Sequence, residues 1–187
     1  MDTPVVVSVN SVSGGGKTAL SRAVCRALPD AALFCFDDFD ATNVYPDDFY
    51  QWHLRGADPA EFDCPGMAAA VAAAIRQGKS RYIVLDYPLG KDHPRFGGRI
   101  DLAVFVDTPL DVAMARRVLR DCPADADARE RLRQLRREMA HYLKEARYPY
   151  LDTYRDRKKS DLVLDGWRDL EILKDTVLAE IETLNTQ

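Results

Sequence analysis

The sequence lacks the features that mark secreted, membrane-spanning or zinc-binding proteins. Its four cysteines form no C-x-x-C pair or other metal-ligand spacing, so we expect reduced thiols rather than disulfides or a zinc site. The longest apolar run, residues 68–75, is far shorter than the roughly 20 residues that span a bilayer. The N-terminal segment has neither the basic flank nor the apolar core of a signal peptide. These absences predict a cytoplasmic protein with no membrane partner.

An excess of positive charge is also missing. The chain has 26 Lys and Arg against 30 Asp and Glu, which gives a formal net charge of −4. Acidic chains are poor partners for nucleic acid. The basic stretch at residues 129–137 is interleaved with Glu130 and followed by Glu138, a pattern typical of a solvated helix. We therefore expect no nucleic-acid partner, while a homo-oligomer stays open.

What the sequence does contain is a regular alternation of short β-branched runs and segments with helical spacing. A chain of 187 residues most simply forms one domain, residues 1–187. The alternation predicts a three-layer α/β fold, with a five-stranded parallel sheet between helices and right-handed crossovers. The predicted strands are residues 5–9, 31–36, 82–85, 102–106 and 161–164. The predicted helices are 18–28, 46–54, 65–78, 109–120, 169–184 and a charged helix at 124–146 with an apolar seam of Leu132, Leu135, Met139 and Leu143.

The first predicted strand runs into a glycine-rich segment, VNSVSGGGKT, at residues 9–18. Glycines permit positive φ and close approach of a ligand, and the free N–H groups at a helix start attract anions. Lys17 can reach nucleotide phosphates and the Thr18 hydroxyl can coordinate Mg²⁺. Ser11 replaces the first glycine of the G-x-x-x-x-G-K-[ST] pattern. Because the phosphate cradle is formed mainly next to the lysine, we still predict nucleotide binding by Ser13, Gly14, Gly15, Gly16, Lys17 and Thr18.

Carboxylates follow two of the predicted strands. Asp37 and Asp38 come after the second strand, and Asp86 comes directly after the third. Ligands of open α/β sheets bind at the carboxyl ends of the strands. A carboxylate there can accept the proton of an attacking hydroxyl, and another can hold Mg²⁺. Each residue could instead be a cap or a solvated acidic turn, and the choice of base between Asp37 and Asp38 stays open.

Three arginines cluster in the segment ARRVLRD, at Arg116, Arg117 and Arg120. On a helix, spacings of three and four place Arg120 on a common face with one of the other two. Clustered guanidinium groups suit a lid that closes over a transferring phosphate, although a solvated charged helix shows the same pattern. The sequence contains no N-K-x-D segment, so guanine recognition of the GTPase type is unsupported.

Together, these residues resemble the uridine kinase and nicotinamide riboside kinase group of P-loop kinases, which are phosphoribulokinase-like. LPDAALFCFDDF at residues 28–39 is similar to that family's second strand and catalytic DDF or DSF turn. FDCPGM at 62–67 resembles its FDxPxA segment. The similarity continues through DLAVFVDTPLDVAMARRVLRD at 101–121 and YLKEARYPYLDTYRDRKKSDLVL at 142–164, so it spans nearly the whole chain.

The resemblance implies a P-loop NTPase fold with a helical lid at about residues 116–147, and phosphoryl transfer that uses ATP and Mg²⁺. By position, Asp37 would be the catalytic base and Asp63 would bind the sugar hydroxyls of the acceptor. Asp86 would lie near the metal. The remaining implied roles are lid residues for Arg116, Arg117 and Arg120, and a position near the adenine for Gly166 and Trp167.

One departure from the family concerns the acceptor. Uridine kinases carry a β-hairpin insertion before the strand that ends near the metal, whereas here residues 77–80 lead straight into that strand. The substrate-binding candidates beside Asp63 are Asp38, Trp52 and Arg95, in a region that also holds Tyr45, Tyr50, His53, Arg55, Lys91 and His93. Aromatic rings could stack on a flat acceptor and basic groups could hold an anion. Tyr50 and Trp52 could equally pack a short helix on the core, and His93 is expected in an exposed loop.

The leading hypothesis is therefore a kinase that phosphorylates a nucleoside or riboside. A kinase for another metabolite alcohol is the first alternative, which Lys91, Arg95 and the missing hairpin favour. A nucleotide-binding regulatory protein without turnover is the second. Ser11 and the missing hairpin support it, but the retention of the loop lysine, the carboxylates and the lid arginines argues against it.

Overall fold

The computed structural model describes residues 3–121 and 127–186, and it contains a five-stranded parallel sheet. The strand order is β2-β3-β1-β4-β5, and every neighbouring pair is parallel. This confirms the predicted α/β fold. The strands are β1 (Val5–Asn10), β2 (Ala31–Cys35), β3 (Tyr82–Asp86), β4 (Leu102–Asp107) and β5 (Leu162–Asp165).

Helices connect consecutive strands and cover both faces of the sheet. They are α1 (Lys17–Ala27), α2 (Phe49–Leu54), α3 (Pro65–Gln77), α4 (Leu110–Asp121), α5 (Ala128–His141), α6 (Arg147–Thr153) and α7 (Leu170–Asn185). Short 3₁₀ segments lie at Phe36–Thr42, Pro59–Glu61, Gly97–Arg99 and Tyr154–Lys159, and a single π-turn at Tyr142–Ala146 joins α5 to α6. Among these described helices, none is both long and apolar enough to cross a bilayer.

The core is divided by the sheet, because successive side chains of a strand point to opposite faces. On one face, Val7 and Val9 of β1 pack with Leu20 of α1 and with α7. On the other face, Val6 of β1 packs with Met67 of α3 and with aromatic side chains of the following loops. Burial on both faces explains why the strands read as continuous apolar runs rather than alternating ones. The sheet is thereby held rigid, and its carboxyl edge can position a site.

The helical segment after α4 differs from the prediction. Helix α5 begins at Ala128, with the Asp127 side chain accepting hydrogen bonds from the backbone N–H groups of the first turn. The predicted start at Ala124 lies outside the described residues, as does Cys122. The predicted apolar seam is wrong at its two ends, because Leu132 is 57% exposed and Leu143 is 69% exposed, whereas Leu135 and Met139 are half-buried. No residue of α5, all of which the structure describes, is buried, so this helix does not pack its apolar positions on the sheet.

Candidate active site

The glycine-rich loop has the geometry of a phosphate cradle. Gly16 is the N-cap of α1 with φ 101°, and Gly14 has φ 81°, both in the left-handed region that glycine tolerates best. A Cβ at Gly14 would collide with the backbone carbonyl of Ala113, and one at Gly15 would collide with the Ser11 side chain. The loop therefore requires glycine at both positions, and it presents its free N–H groups at the start of an eleven-residue helix.

Ser11, at the position of the missing first glycine, anchors the loop to the sheet. Its hydroxyl donates a 2.8 Å hydrogen bond to the carbonyl of Val106 on β4, and the residue is 1% exposed. Its φ is not positive, so no glycine is needed there. Serine thus fills a space between β1 and β4 with a satisfied polar group, and the loop keeps its shape.

Thr108, which the sequence reading missed, braces the same loop from β4. Its hydroxyl donates to the carbonyl of Gly15 at 2.7 Å, and its own carbonyl accepts a hydrogen bond from the Tyr154 hydroxyl. A Cβ at Gly166 would collide with the Thr108 hydroxyl, which explains the glycine after β5. The sequence indicates only a threonine just past a strand end. The role of Thr108 could not be predicted from that, because its partners are distant in sequence.

Asp86 lies at the carboxyl end of β3, opposite Val9 of β1, and therefore beside the loop. It is 3% exposed, and its Oδ1 has no hydrogen-bond partner among the described residues. Burial raises the pKa of this carboxyl, while Lys17 and the Thr18 hydroxyl act in the opposite direction. An unsatisfied buried carboxylate oxygen next to a hydroxyl is a donor set that fits Mg²⁺, which takes one or two protein oxygens and completes its shell with phosphate and water.

Asp37 and the loop lysine line one central cavity of about 440 Å³. This cavity lies between the phosphate loop, the 3₁₀ turn after β2 and the helices α4 and α6. Lys17, Asp37, Arg117 and Arg120 all contribute to its wall. Asp37 and Asp38 are both exposed, but only Asp37 is part of that wall. The cavity thus separates the two neighbouring aspartates, and Asp37 is the one that faces the lysine.

The three arginines of α4 line several cavities around the phosphate loop, and Arg116 and Arg120 share one of about 200 Å³ with Lys17 and Thr18. Arg116 lies 5.9 Å over the Trp167 ring and donates to the Gly166 carbonyl at 3.3 Å. It lines a cavity of about 360 Å³ that also touches Gly15 and Gly16. The predicted adenine side of the loop therefore has an open space beside it, with Arg116 and Gly166 in its wall.

Arg117 and Arg120 face the central cavity and are held by Asp121. Arg120 Nε lies 2.6 Å from one Asp121 oxygen, and Arg117 Nε lies 3.4 Å from the other. Arg117 also donates to the Tyr150 hydroxyl of α6. The hydrogen bond from Arg120 lowers the pKa of Asp121, so this carboxylate stays ionised and keeps both guanidinium groups positioned.

Asp63 and Arg95 form a bidentate pair away from the central cavity. The Arg95 Nε and Nη2 atoms each lie 2.5 Å from an Asp63 oxygen, and the backbone N–H of Cys64 also donates to this carboxylate. Arg95 is the main reason why the pKa of Asp63 is lowered. Both residues line a separate small cavity with His93. Two predicted acceptor residues are therefore brought together, but with each other rather than with Asp37.

The other acceptor candidates have mainly structural contacts. Trp52 is 5% exposed, donates from Nε1 to the carbonyl of Asp58 and packs edge-on against Phe62. Tyr50 contacts Tyr148 of α6 with ring centroids 4.9 Å apart. Trp52 thus takes the core-packing role that the sequence left open, whereas Tyr50 is 41% exposed and packs on α6. Lys91 lies 2.5 Å from Asp161 and tethers its loop to the start of β5.

The expectation of an exposed loop histidine at position 93 is wrong. His93 is fully buried, and its Nε2 lies 2.9 Å from the carbonyl of Phe62. A carbonyl can only accept, so Nε2 carries the proton and Nδ1 accepts from the Tyr87 hydroxyl. Burial lowers the pKa of the imidazole and keeps it neutral. The flanking proline and charged residues suggested exposure, but the two hydrogen bonds satisfy the ring in the interior.

Comparison with known proteins agrees with this geometry. No protein-family model matches the chain. A uridine kinase of Oceanobacillus iheyensis is 21% identical over 206 aligned positions, which cover 97% of this chain and 95% of the relative. A uridine kinase of Streptococcus agalactiae is 26% identical over 150 positions, 63% of this chain and 68% of the relative.

The solved structures agree at the level of the fold. The crystal structure of a sugar kinase from Janibacter sp. superposes with a TM-score of 0.55 at 17% identity, covering 96% of this chain and 95% of the other. At that identity the likeness concerns the fold alone. The glycine loop, the parallel sheet and the sequence relatives agree with one another: the chain is a small-molecule kinase with the P-loop fold, and its sequence is similar to uridine kinases.

Proposed function

We propose that the protein transfers the γ-phosphoryl group of ATP to a hydroxyl of a nucleoside or riboside. The observation that carries this proposal is that Lys17, Asp37, Arg117 and Arg120 line the same cavity. A nucleophile held at Asp37 and a phosphate held at Lys17 would therefore meet there. Such positioning, together with stabilisation of charge, provides most of the catalysis in phosphoryl transfer.

Each residue has a defined task in this mechanism. The loop N–H groups and Lys17 hold the phosphates, and the Asp37 carboxylate accepts the proton of the acceptor hydroxyl. As the hydroxyl oxygen bonds to the γ-phosphorus, the bond to the bridging oxygen breaks and ADP leaves. Arg117 and Arg120 stabilise the charge on the transferring group. Asp86 and Thr18 would hold Mg²⁺, which supplies neutralisation of the phosphate oxygens when bound.

The proposed acceptor is tested by incubating the protein with ATP, Mg²⁺ and a panel of nucleosides, ribosides and other metabolite alcohols. ADP release that depends on a nucleoside or riboside supports the proposal. ADP release with a non-nucleoside alone would reassign the acceptor. The Asp63–Arg95 pair favours a non-nucleoside acceptor. Arg95 already bonds to both oxygens of Asp63, the carboxylate that was expected to bind the sugar hydroxyls. Nucleotide binding without turnover on any acceptor would favour the regulatory alternative.

The neighbouring aspartates provide a matched test of the base. We expect Asp37→Asn to lower kcat by about 10²-fold or more, the scale of general-base catalysis, with little change in ATP affinity. Asp38→Asn, a change of the same size one residue away, should leave kcat nearly intact because Asp38 lies outside the cavity wall. Steady-state kinetics on both variants measure this, and a reversed pattern would make Asp38 the base.

A further inference from the structure

A second cavity adjoins the central one. It has a volume of about 200 Å³ and shares Phe62, Pro88 and Leu89 with the central cavity as walls. An acceptor whose hydroxyl lies at Asp37 and whose body lies against these shared residues therefore extends toward the second cavity.

Asp156, in the 3₁₀ segment after α6, lies in the wall of this second cavity. Asn10 at the end of β1 donates to its Oδ2 at 2.9 Å, while no hydrogen bond is made to its Oδ1 by the described residues. The Gly90 turn packs directly against the carboxyl group, since a Cβ at Gly90 would contact the Asp156 side chain at 2.9 Å. Asp156 is half-buried, and one of its carboxyl oxygens thus lacks a protein partner where the residue lines the cavity.

The charged neighbours of Asp156 are already engaged with other groups. Arg155 lies 2.9 Å from Asp152, and the other oxygen of Asp152 lies 2.6 Å from His53 Nδ1. Lys159 is paired with Asp92. Neither Arg155 nor Lys159 pairs with Asp156, and burial raises the pKa of its carboxyl to about 7. Oδ1 is therefore left to a hydrogen-bond donor from outside the chain, and an N–H group of a bound ligand is one such donor.

We propose that the second cavity receives the ring end of the acceptor, and that Asp156 Oδ1 accepts a hydrogen bond from an amine or amide N–H on that ring. This inference rests on the proposed kinase activity and specifies its substrate class. A ring that carries a carbonyl at the same place would direct an oxygen at the carboxylate and leave both groups unpaired. A site built to bind a donor discriminates strongly against analogues that lack it.

Two pairs of nucleosides test the proposal because their members differ by an amine or a carbonyl at one ring position. They are cytidine against uridine and adenosine against inosine. At pH 8, where the carboxylate is largely ionised, we expect the amine-bearing member of at least one pair to have the higher kcat/KM by about tenfold or more. Asp156→Asn, whose amide can donate as well as accept, should bring that ratio close to one, mainly through KM.

The controls separate this inference from the activity itself. Asp175→Asn on the distant face of α7 should keep the wild-type ratio, and thermal unfolding confirms that each variant is folded. Equal kcat/KM within both pairs for the wild type, or an unchanged ratio in Asp156→Asn, overturns the role of Asp156 and leaves the kinase activity standing. A loss that affects both members of a pair equally also overturns it, since that is the result of a merely structural role. Absence of turnover with all four nucleosides overturns the nucleoside acceptor and this inference together.

Discussion

At the scale of single residues, Ser11 shows how a departure from a motif can preserve its geometry. The glycine expected at this position is replaced by a side chain whose hydroxyl bonds to β4, and Gly15 fits against it because it has no Cβ. The loop is thus fixed to the sheet by a polar contact rather than by close packing of backbone alone. Because the Ser11 hydroxyl makes one defined hydrogen bond, its contribution to stability can be tested by substitution.

We expect Ser11→Ala to lower the free energy of unfolding by about 1 kcal/mol, the usual value of a buried hydrogen bond, while ATP affinity changes little. Ser21→Ala is the matched control, because the Ser21 hydroxyl is buried without a partner among the described residues. That change should be neutral or slightly stabilising. Urea unfolding of the two variants measures the difference, and equal effects would argue that the Ser11 hydrogen bond does not stabilise the protein.

At the scale of elements, the two helices α4 and α5 of the proposed lid differ in their contact with the central cavity. Helix α4 extends from β4 over the phosphate loop and directs Arg117 and Arg120 into the central cavity. Helix α5 carries more arginines, but none of its residues is buried and none lines that cavity. The number of arginines on a helix therefore does not indicate which helix contributes to the cavity. Helix α4, which follows directly from β4, contributes to it, and the more basic α5 does not.

Arg120→Ala and Arg136→Ala compare the two helices directly. We expect Arg120→Ala to lower kcat by roughly 10- to 100-fold, because it removes a donor aimed at the transferring phosphate. Arg136→Ala on exposed α5 removes the same charge and should keep kcat within about twofold, since surface charges have small effects. Steady-state kinetics at saturating ATP make the comparison. Equal losses would indicate that net charge of the lid, rather than position, governs the rate.

At the scale of the whole molecule, the loop, the strand ends and the lid are joined by contacts that are distant along the chain. Asn10 contacts Asp156, and Tyr154 contacts Thr108, which in turn holds Gly15. The segment that contains Tyr154 and Asp156 is thus attached to both sides of the phosphate loop. Because Asn10 and Asp156 meet only in the folded chain, the environment of the Asp156 carboxyl depends on global folding.

The pH dependence of global stability reports on that carboxyl. Its pKa is about 7 in the folded chain against 3.8 ordinarily, so folding favours the protonated form. The wild type should therefore lose stability as pH rises from about 4 to about 7, by up to about 4 kcal/mol from this group. Asp156→Asn removes this contribution. Its unfolding free energy should match the wild type at pH 4 and exceed it at pH 8, as measured by denaturant unfolding. A constant difference across this range would contradict the raised pKa of the Asp156 carboxyl.

The pattern of neighbouring residues was sufficient to predict much of the fold and part of the candidate site. The strands and helices are encoded by neighbouring residues: apolar runs for strands covered on both faces, and caps such as Asp169 at the start of α7. The loop residues and Asp86 follow from their places at strand ends, because parallel strands bring their carboxyl ends to one edge. These features needed no knowledge of distant contacts.

The contacts of the residues proposed to bind the acceptor could be found only from the tertiary structure. Asp63 and Arg95 are separated by 32 residues and Asn10 and Asp156 by 146, so no local pattern pairs them. His93 was misjudged in part for the same reason, since Phe62 lies 31 residues away in another loop, although Tyr87 is only six residues earlier. The sequence by itself determined the parallel sheet and the glycine-rich loop, because each depends on periodicity and spacing along the chain, whereas the kinase activity was expected from the resemblance to a known family. Only the tertiary structure decided which carboxylates are paired and which remain free for a ligand, because burial and hydrogen bonding are properties of residues brought together from distant parts of the sequence.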